Sequence, residues 1–241
     1  MSGFRLGQVM GIDIRVDASW FMLLGLLLWS FSAVVFPSNV PGLTGAAYAL
    51  MGLAGTLMFI LSLLAHELSH AVVARSKGIP VAGITLFVFG GMAHMLGEAE
   101  TPGDEFQIAF VGPVASLAAA ALLGGAAWLS WRLGMSPGVV SVMQYISGLN
   151  IVLAVFNMLP GYPLDGGRVF RSAVWKLTGD VARATRWAAA CGRWLAYGLI
   201  ALGLWMTLGG NPVGGLWLAF IGWFLRNAAA TVPRGDATHE A

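Results

Sequence analysis

The sequence carries very little charge. Only 10% of its 241 residues are Asp, Glu, Lys or Arg, whereas an ordinary soluble domain has about 25%. It contains a single cysteine, Cys191, which excludes an intramolecular disulfide framework. A net charge of +2 gives no basis for nucleic-acid binding. These shortages exclude an ordinary soluble domain, a disulfide scaffold and a basic nucleic-acid-binding protein.

Hydrophobic residues make up 58% of the chain, and several runs approach the ~20 apolar residues that cross a bilayer. The fold class that we predict is an all-α polytopic membrane protein with six transmembrane helices. The opening MSGFRLGQVMGIDIRVD has charges and glycines where a cleavable signal needs an apolar stretch, so we expect no signal peptide. The six predicted spans are residues 18–36, 45–74, 107–131, 139–160, 190–208 and 213–230.

Basic residues are distributed very unevenly between these spans. With alternating sides, twelve of the 13 Lys and Arg residues fall on the side of the N-terminus, and only Arg132 falls on the other. The positive-inside rule then predicts a multi-pass protein of the cell membrane with both termini in the cytoplasm. Arg168 and Arg171 are interpreted as topology anchors on that side, although Arg168 could also pair with Asp165 when no metal is bound.

The connection 78–106 is unusual because it is apolar and rich in residues that favour strands. The stretch GIPVAGITLFVFGGMAHML, with glycines at bend points, predicts a membrane-associated strand or hairpin over residues 79–96, between helices 2 and 3. The acidic residues that follow, Glu98, Glu100, Asp104 and Glu105, are expected to form a solvated loop.

A short polar group interrupts the second apolar span. The run LSLLAHELSHAVVA places His66, Glu67 and His70 in a segment that is otherwise hydrocarbon. Residues four apart share a helix face, so His66 and His70 can bind one metal ion. Glu67 lies one step round the helix and could act on a metal-bound water. Ionisable groups in an apolar helix indicate a functional site.

A second group lies at the end of the fourth span, where prolines and glycines in NMLPGYPLDGGR predict a broken helix. The break falls where Asp165 occurs. The second and fourth spans run in the same direction, so Asp165 and HELSH should lie at similar depth. Asp165 can then supply a third zinc ligand and leave the fourth position to water. Asn150 and Asn157 share one face of the fourth helix.

Together, HELSH, FGGMAH, FVGPVASL and NMLPGYPLDGGR resemble the site-2 protease family, over about residues 1–228. The resemblance implies a single protease domain, 1–230, with a short cytoplasmic tail, 231–241. It implies one zinc ion per chain on His66, His70 and Asp165, with Glu67 as the catalytic carboxylate. The implied activity is an endopeptidase that cleaves transmembrane segments of other membrane proteins, in regulated intramembrane proteolysis.

The resemblance also gives Asn157 a role beside the scissile bond, and makes the strand segment the substrate clamp, with an exposed edge near residues 84–92. Ser69 stands where the family usually has glycine, a small-for-small change. Some relatives carry a pair of CBS domains after the last span, whereas this sequence ends soon after Asn227. His94 could be a ligand substitute, a substrate contact or a structural residue.

Two other functions remain open from the residues alone. A metal-ion transporter would also bind an ion through intramembrane His and acidic side chains, although it commonly has internal repeats or paired broken helices. The sequence shows one broken helix and no repeat. A proteolytically inactive binder could keep the zinc fold, against which the intact His66, Glu67, His70 and Asp165 argue. The partners implied are a transmembrane substrate and the lipid bilayer, with the substrate and the oligomeric state unknown.

Overall fold

The computed structural model of the chain describes residues 3–88 and 90–230. Its helices are α1 (Ser19–Ser30), which continues through a π-helical turn (Phe31–Val35) into α2 (Phe36–Asn39), then α3 (Gly45–Ser76), α4 (Pro102–Arg132), α5 (Pro137–Asn157), α6 (Asp165–Thr178), α7 (Val181–Leu208) and α8 (Pro212–Ala230). Its strands are β1 (Phe4–Val9), β2 (Ile12–Val16), β3 (Val81–Phe87) and β4 (Gly90–Met95).

Five helical segments of the described chain are long and apolar enough to cross a membrane: Ser19–Asn39, Gly45–Ser76, Pro102–Arg132, Pro137–Asn157 and Val181–Leu208. These correspond to the first five predicted spans. The sixth predicted span coincides with α8, which has the length of a span but is not among the five. The mostly helical architecture is confirmed, and the count of six stays a prediction.

The chain divides into two compact units. Unit 1 consists of Met1–Ala99 and Val111–Val155, and unit 2 consists of Glu100–Phe110 and Phe156–Ala241. The division therefore falls within α4 and near the end of α5. The predicted tail, 231–241, lies outside the described residues.

Unit 1 contains a four-stranded sheet in the order β1-β2-β3-β4. The predicted hairpin over 79–96 is confirmed as the antiparallel pair β3–β4. Strand β2 pairs with β1 in antiparallel fashion and with β3 in parallel fashion. Along β2, the residues Ile12, Ile14 and Val16 are buried and alternate with partly exposed ones, so one face of the sheet packs onto Trp20 of α1 and Ala71 of α3.

Strand β3 lies between β2 and β4, which corrects the expected position of the exposed edge. Ile84, Thr85 and Leu86 are paired with β2 on one side and with β4 on the other. The prediction of an exposed edge near residues 84–92 is therefore wrong for β3. The outer strands of the described sheet are β1 and β4. The unpaired edge of the β3–β4 hairpin is therefore that of β4.

Unit 2 also differs from the sequence prediction. The stretch 161–189, expected to be a connection, contains α6 and the start of α7, which begins at Val181 and not near residue 190. Helix α6 ends at Thr178 and is followed by Gly179 in the left-handed conformation (φ 70°), and the Gly179 N–H donates to Trp175 O. The Asp180 side chain then caps α7 by accepting from the Arg183 N–H at 2.8 Å. These local stop and start signals explain the two helices.

Candidate metal centre

The two histidines of HELSH lie on one face of α3, as their spacing predicts. Both are buried, with 2% of His66 and 4% of His70 exposed. Their Nε2 atoms are 3.2 Å apart, and the rings meet edge to face. Two nitrogen ligands of a tetrahedral zinc ion, each bound at about 2.0–2.1 Å, would lie about 3.3 Å apart. The histidine pair therefore fits a zinc ion.

A serine on α4 orients the first of these rings. The Ser116 hydroxyl lies 2.9 Å from His66 Nδ1, and Ser116 is fully buried. A partner on the second ring nitrogen fixes the tautomer and orientation of a metal-ligating histidine. Ser69, the small-for-small departure, donates instead to the His66 carbonyl oxygen at 2.6 Å. The Ser69 side chain is therefore hydrogen-bonded to the backbone of α3.

The backbone of α4 approaches the two rings closely at Gly112. A Cβ atom at this position would contact Nε2 and Cε1 of His70 and would lie 2.8 Å from His66 Nε2. Real Cβ atoms essentially never come so close to another group. Only glycine at position 112 therefore lets α4 cover the histidine pair.

Glu67 lies beside the outer strand of the sheet. Its side chain is partly buried. A Cβ atom at Gly91 of β4 would lie 2.9 Å from Glu67 Cδ and 3.2 Å from its Oε1. The carboxylate of HELSH is thus adjacent to the strand that has an unpaired edge.

His94 also lies on β4, and its Nε2 is 2.9 Å from the Thr85 hydroxyl of β3. This bond joins the two strands of the hairpin. It supports the structural reading among the three that the sequence left open for His94.

Asp165 and Asn157 lie in unit 2, at the two ends of one break. Helix α5 ends at Asn157, and α6 begins at Asp165, which occupies the first turn of α6. A carboxylate is favoured there by the N–H groups at the start of a helix. Both side chains are partly buried. The predicted helix break is confirmed, and it places Asp165 at the start of a new helix.

The chain between these two residues packs against α7 through glycines. The Tyr162 N–H donates to Ala188 O at 3.2 Å. A Cβ atom at Gly161 would lie 2.6 Å from the backbone nitrogen of Gly192. This backbone-to-backbone contact holds the segment that leads into Asp165.

Helix α6 also takes part in a buried ion network that the sequence analysis did not predict. Arg168 and Arg171 both pair with Glu105 of α4, so their expected role as simple topology anchors is incomplete. Glu105 is 1% exposed, which corrects its expected place in a solvated loop: α4 begins at Pro102 and includes it. Burial lowers the pKa of Arg168, but Glu105, with smaller contributions from Tyr162 and Asp165, holds the pKa above its usual value.

The sequence carries only weak signals for Ser116 and Gly91, the other two residues that the sequence analysis did not single out. Ser116 stands four residues after Gly112, on the same helix face, but serine is common in apolar helices. Gly91 looked like one of several bend points in the hairpin. Without the fold, neither residue type indicates that its neighbours are His66 and Glu67.

Converging imidazoles beside a carboxylate, in a chain with membrane-length apolar helices, are typical of a membrane metallopeptidase. The model of Peptidase family M50 matches residues 54–134 and 133–199, and the chain belongs to this family. The predicted resemblance to the site-2 protease family is therefore confirmed.

Two curated relatives support this membership. "Putative zinc metalloprotease Rip3" of Mycobacterium tuberculosis is 46% identical over 224 residues, which cover 93% of this chain and 57% of Rip3. "Putative zinc metalloprotease sll0528" of Synechocystis is 35% identical over 242 residues, which cover 99% of this chain and 62% of the Synechocystis protein. The chain thus spans less than two thirds of either relative.

A solved structure supports the fold. The chain titled "Site-2 Protease from Methanocaldococcus jannaschii" matches with a TM-score of 0.62 and 23% identity, and the match covers 100% of this chain and 99% of that one. At this identity the likeness shows a shared fold, and the chain is a membrane protein of that architecture.

Proposed function

We propose that the chain is the catalytic part of a zinc-dependent peptidase that hydrolyses peptide bonds within transmembrane segments of other membrane proteins. The observation that carries the proposal is the 3.2 Å separation of the His66 and His70 Nε2 atoms, with Glu67 on the next residue of the same helix. Family M50 membership supports it, because the two matched stretches contain HELSH and Asp165, respectively.

The proposed donor set is two imidazole nitrogens, from His66 and His70, and one carboxylate oxygen, from Asp165, for one zinc ion per chain. This set suits zinc and leaves the fourth position open, as in catalytic sites. When bound, zinc supplies Lewis acidity to the scissile carbonyl and makes a water molecule easier to deprotonate.

The remaining steps fall to side chains of this protein. Glu67 takes the proton from the attacking water and delivers it to the leaving amide nitrogen. Asn157 donates a hydrogen bond to the carbonyl oxygen as negative charge develops there. Ser116 keeps the His66 ring in one tautomer by bonding Nδ1.

The substrate must present an extended backbone to be cut. A transmembrane helix hides its carbonyl groups in internal hydrogen bonds, and each one exposed to lipid costs several kcal/mol. An unwound segment that pairs with the outer edge of β4 would recover such bonds. The close approach of Gly91 to Glu67 supports this placement, since a strand added to β4 would run beside the carboxylate.

We also propose six spans, with α8 as the sixth, in a single domain over 1–230, and a location in the cell membrane with both termini in the cytoplasm. The distribution of Lys and Arg supports this topology. The physiological use that we propose is regulated intramembrane proteolysis.

Co-expression with candidate single-span membrane proteins tests the activity. Glu67→Gln should lower cleavage by about 10²–10⁴-fold, because it removes the general base, while the purified variant keeps its zinc. Glu100→Gln, the same chemical change at an exposed position, is the matched control and should cleave like the wild type. Wild-type cleavage by zinc-loaded Glu67→Gln would refute the assignment.

A further inference from the structure

The ion network around Glu105 has a defined geometry. Arg168 donates to the Glu105 carboxylate twice, from Nε to Oε1 at 3.1 Å and from Nη2 to Oε2 at 3.2 Å. Arg171 donates from Nη1 to Oε1 at 3.2 Å. The Arg168 pair is the bidentate form, which fixes direction as well as distance. Two arginines of α6 are therefore bound to a single carboxylate at the start of α4.

Stability alone is a poor explanation for this network. Removing charges from water costs several kcal/mol per ion, and apolar side chains of similar size often give an equally stable protein. A buried arrangement of this kind is better explained by the geometry that it imposes, which in this structure is the orientation of α6.

Helix α6 needs such contacts at its beginning. It has only 14 residues, and its second and third are Gly166 and Gly167, which are poor helix formers. Two further contacts hold it in the direction set by Glu105. Ser172 donates to the Pro102 carbonyl at the start of α4 at 2.6 Å, and Arg171 Nε donates to the Thr185 hydroxyl of α7 at 3.0 Å.

Asp165 is the first residue of this helix. Arg168 lies about one turn further along α6, and Arg171 about two turns. Fixing these two side chains on one carboxylate fixes both the rotation of α6 about its axis and its position along that axis. The direction in which the Asp165 side chain leaves the helix is set at the same time.

We propose that Glu105 is a positioning residue for Asp165, acting through Arg168 and Arg171. This inference rests on the proposed function, in which Asp165 is a zinc ligand. Glu105 itself is not a member of the proposed donor set. Its loss should therefore weaken zinc binding by misplacing Asp165, in a protein whose remaining ligands are intact.

Zinc binding to the purified, detergent-solubilised protein tests this inference. Glu105→Gln should lower zinc affinity by about 10–100-fold in competition with a chromophoric chelator, the usual effect of losing an outer-shell partner. It should also change the visible absorption bands of the Co²⁺-substituted protein, which report ligand geometry. Both measurements are made well below the melting temperature of the variant.

The control separates positioning from stability. Asp180→Asn removes another acidic side chain of unit 2, which caps α7 and lies 3.7 Å from Arg183. This variant should melt at a lower temperature while keeping wild-type zinc affinity and a wild-type Co²⁺ spectrum.

A second variant covers the case in which Glu105→Gln fails to fold. Replacing Glu105, Arg168 and Arg171 together by Met removes every charge of the network and should restore stability. Zinc affinity should nonetheless stay at least about 10-fold below that of the wild type. Wild-type affinity and Co²⁺ spectrum in either Glu105 variant would overturn the inference.

The outcome for Asp165→Asn distinguishes the two proposals. If this variant binds zinc weakly and Glu105→Gln binds it like the wild type, only the positioning role is refuted. If Asp165→Asn also binds zinc like the wild type, then Asp165 is not a ligand, and the proposed donor set and the positioning role both fail.

Discussion

The histidine pair of unit 1 and the aspartate of unit 2 are held by different kinds of contact. His66 and His70 sit between apolar helices, where a hydroxyl orients one ring and a glycine backbone covers both. Asp165 begins a short helix that is fixed by a buried network of charges. A neutral imidazole can be buried at modest cost, whereas charged side chains need partners wherever they are buried. The two types of proposed zinc ligand thus require different supports.

Glycine also serves the two units differently. At Gly112 its missing side chain lets a backbone meet two imidazole rings, which are side chains that can rotate. At Gly161 it lets one backbone meet another, and neither can move without shifting α7. A methyl group added at these two positions should therefore damage different properties of the protein.

The largest effect is expected for Gly161→Ala. The new Cβ would lie 2.6 Å from Gly192 N and 3.1 Å from the carbonyl carbon of Cys191. We expect a loss of about 3 kcal/mol in stability, the upper part of the usual range for overpacking, measured as a lower melting temperature in detergent. Gly198→Ala, on α7 with open space around it, should melt at or above the wild-type temperature. Equal melting of the two variants would contradict the close contact.

A smaller and more local effect is expected for Gly112→Ala. The fold should persist, because imidazole rings can give way, but the displaced imidazoles should bind zinc about 10–100-fold more weakly, the usual loss when a ligating histidine is no longer held in its orientation. Chelator competition measures the affinity. Gly125→Ala, on the same helix with nothing within 4 Å, should bind zinc like the wild type. Should Gly112→Ala unfold at the temperature of Gly161→Ala, the contrast between the units would not hold.

The smallest effect is expected for Ser116→Ala. The His66 ring loses its partner at Nδ1, and zinc affinity should fall by about 10-fold. Ser147→Ala is the matched control, since it also removes a buried hydroxyl, one that donates to Ala120 O at 2.7 Å. That variant should keep wild-type affinity in the same titration. An equal loss in both would mean that Ser116 acts only through packing.

The parts of the site that the sequence could predict are the local ones. His66 and His70 are four residues apart, and helical periodicity alone puts them on one face. Pro160 and Pro163 end a helix by their covalent structure, so the break before Asp165 was predictable. The β3–β4 hairpin was also predictable from a local signal, because the residues that favour strands and the glycines that form the bends are contiguous in the sequence.

The parts that could not be predicted depend on distant neighbours. Glu105 stands in a run of acidic residues, and its partners in the folded protein, Arg168 and Arg171, come more than 60 residues later in the sequence. Strands β1 and β2 were missed even though Ile12, Ile14 and Val16 alternate with polar residues. Five residues are a short pattern, and the partner that buries them comes from far along the chain.

The parallel pairing of β2 with β3 also sets an order of events during synthesis. Ile14 pairs with Ile84, which the ribosome adds 70 residues later. Helices α1, α2 and α3 are made in the interval, so the pairing closes a loop that contains membrane-length segments. Contacts between such distant residues form slowly. Until they do, β2 and β3 each have an open edge, and an open strand edge can pair with another chain.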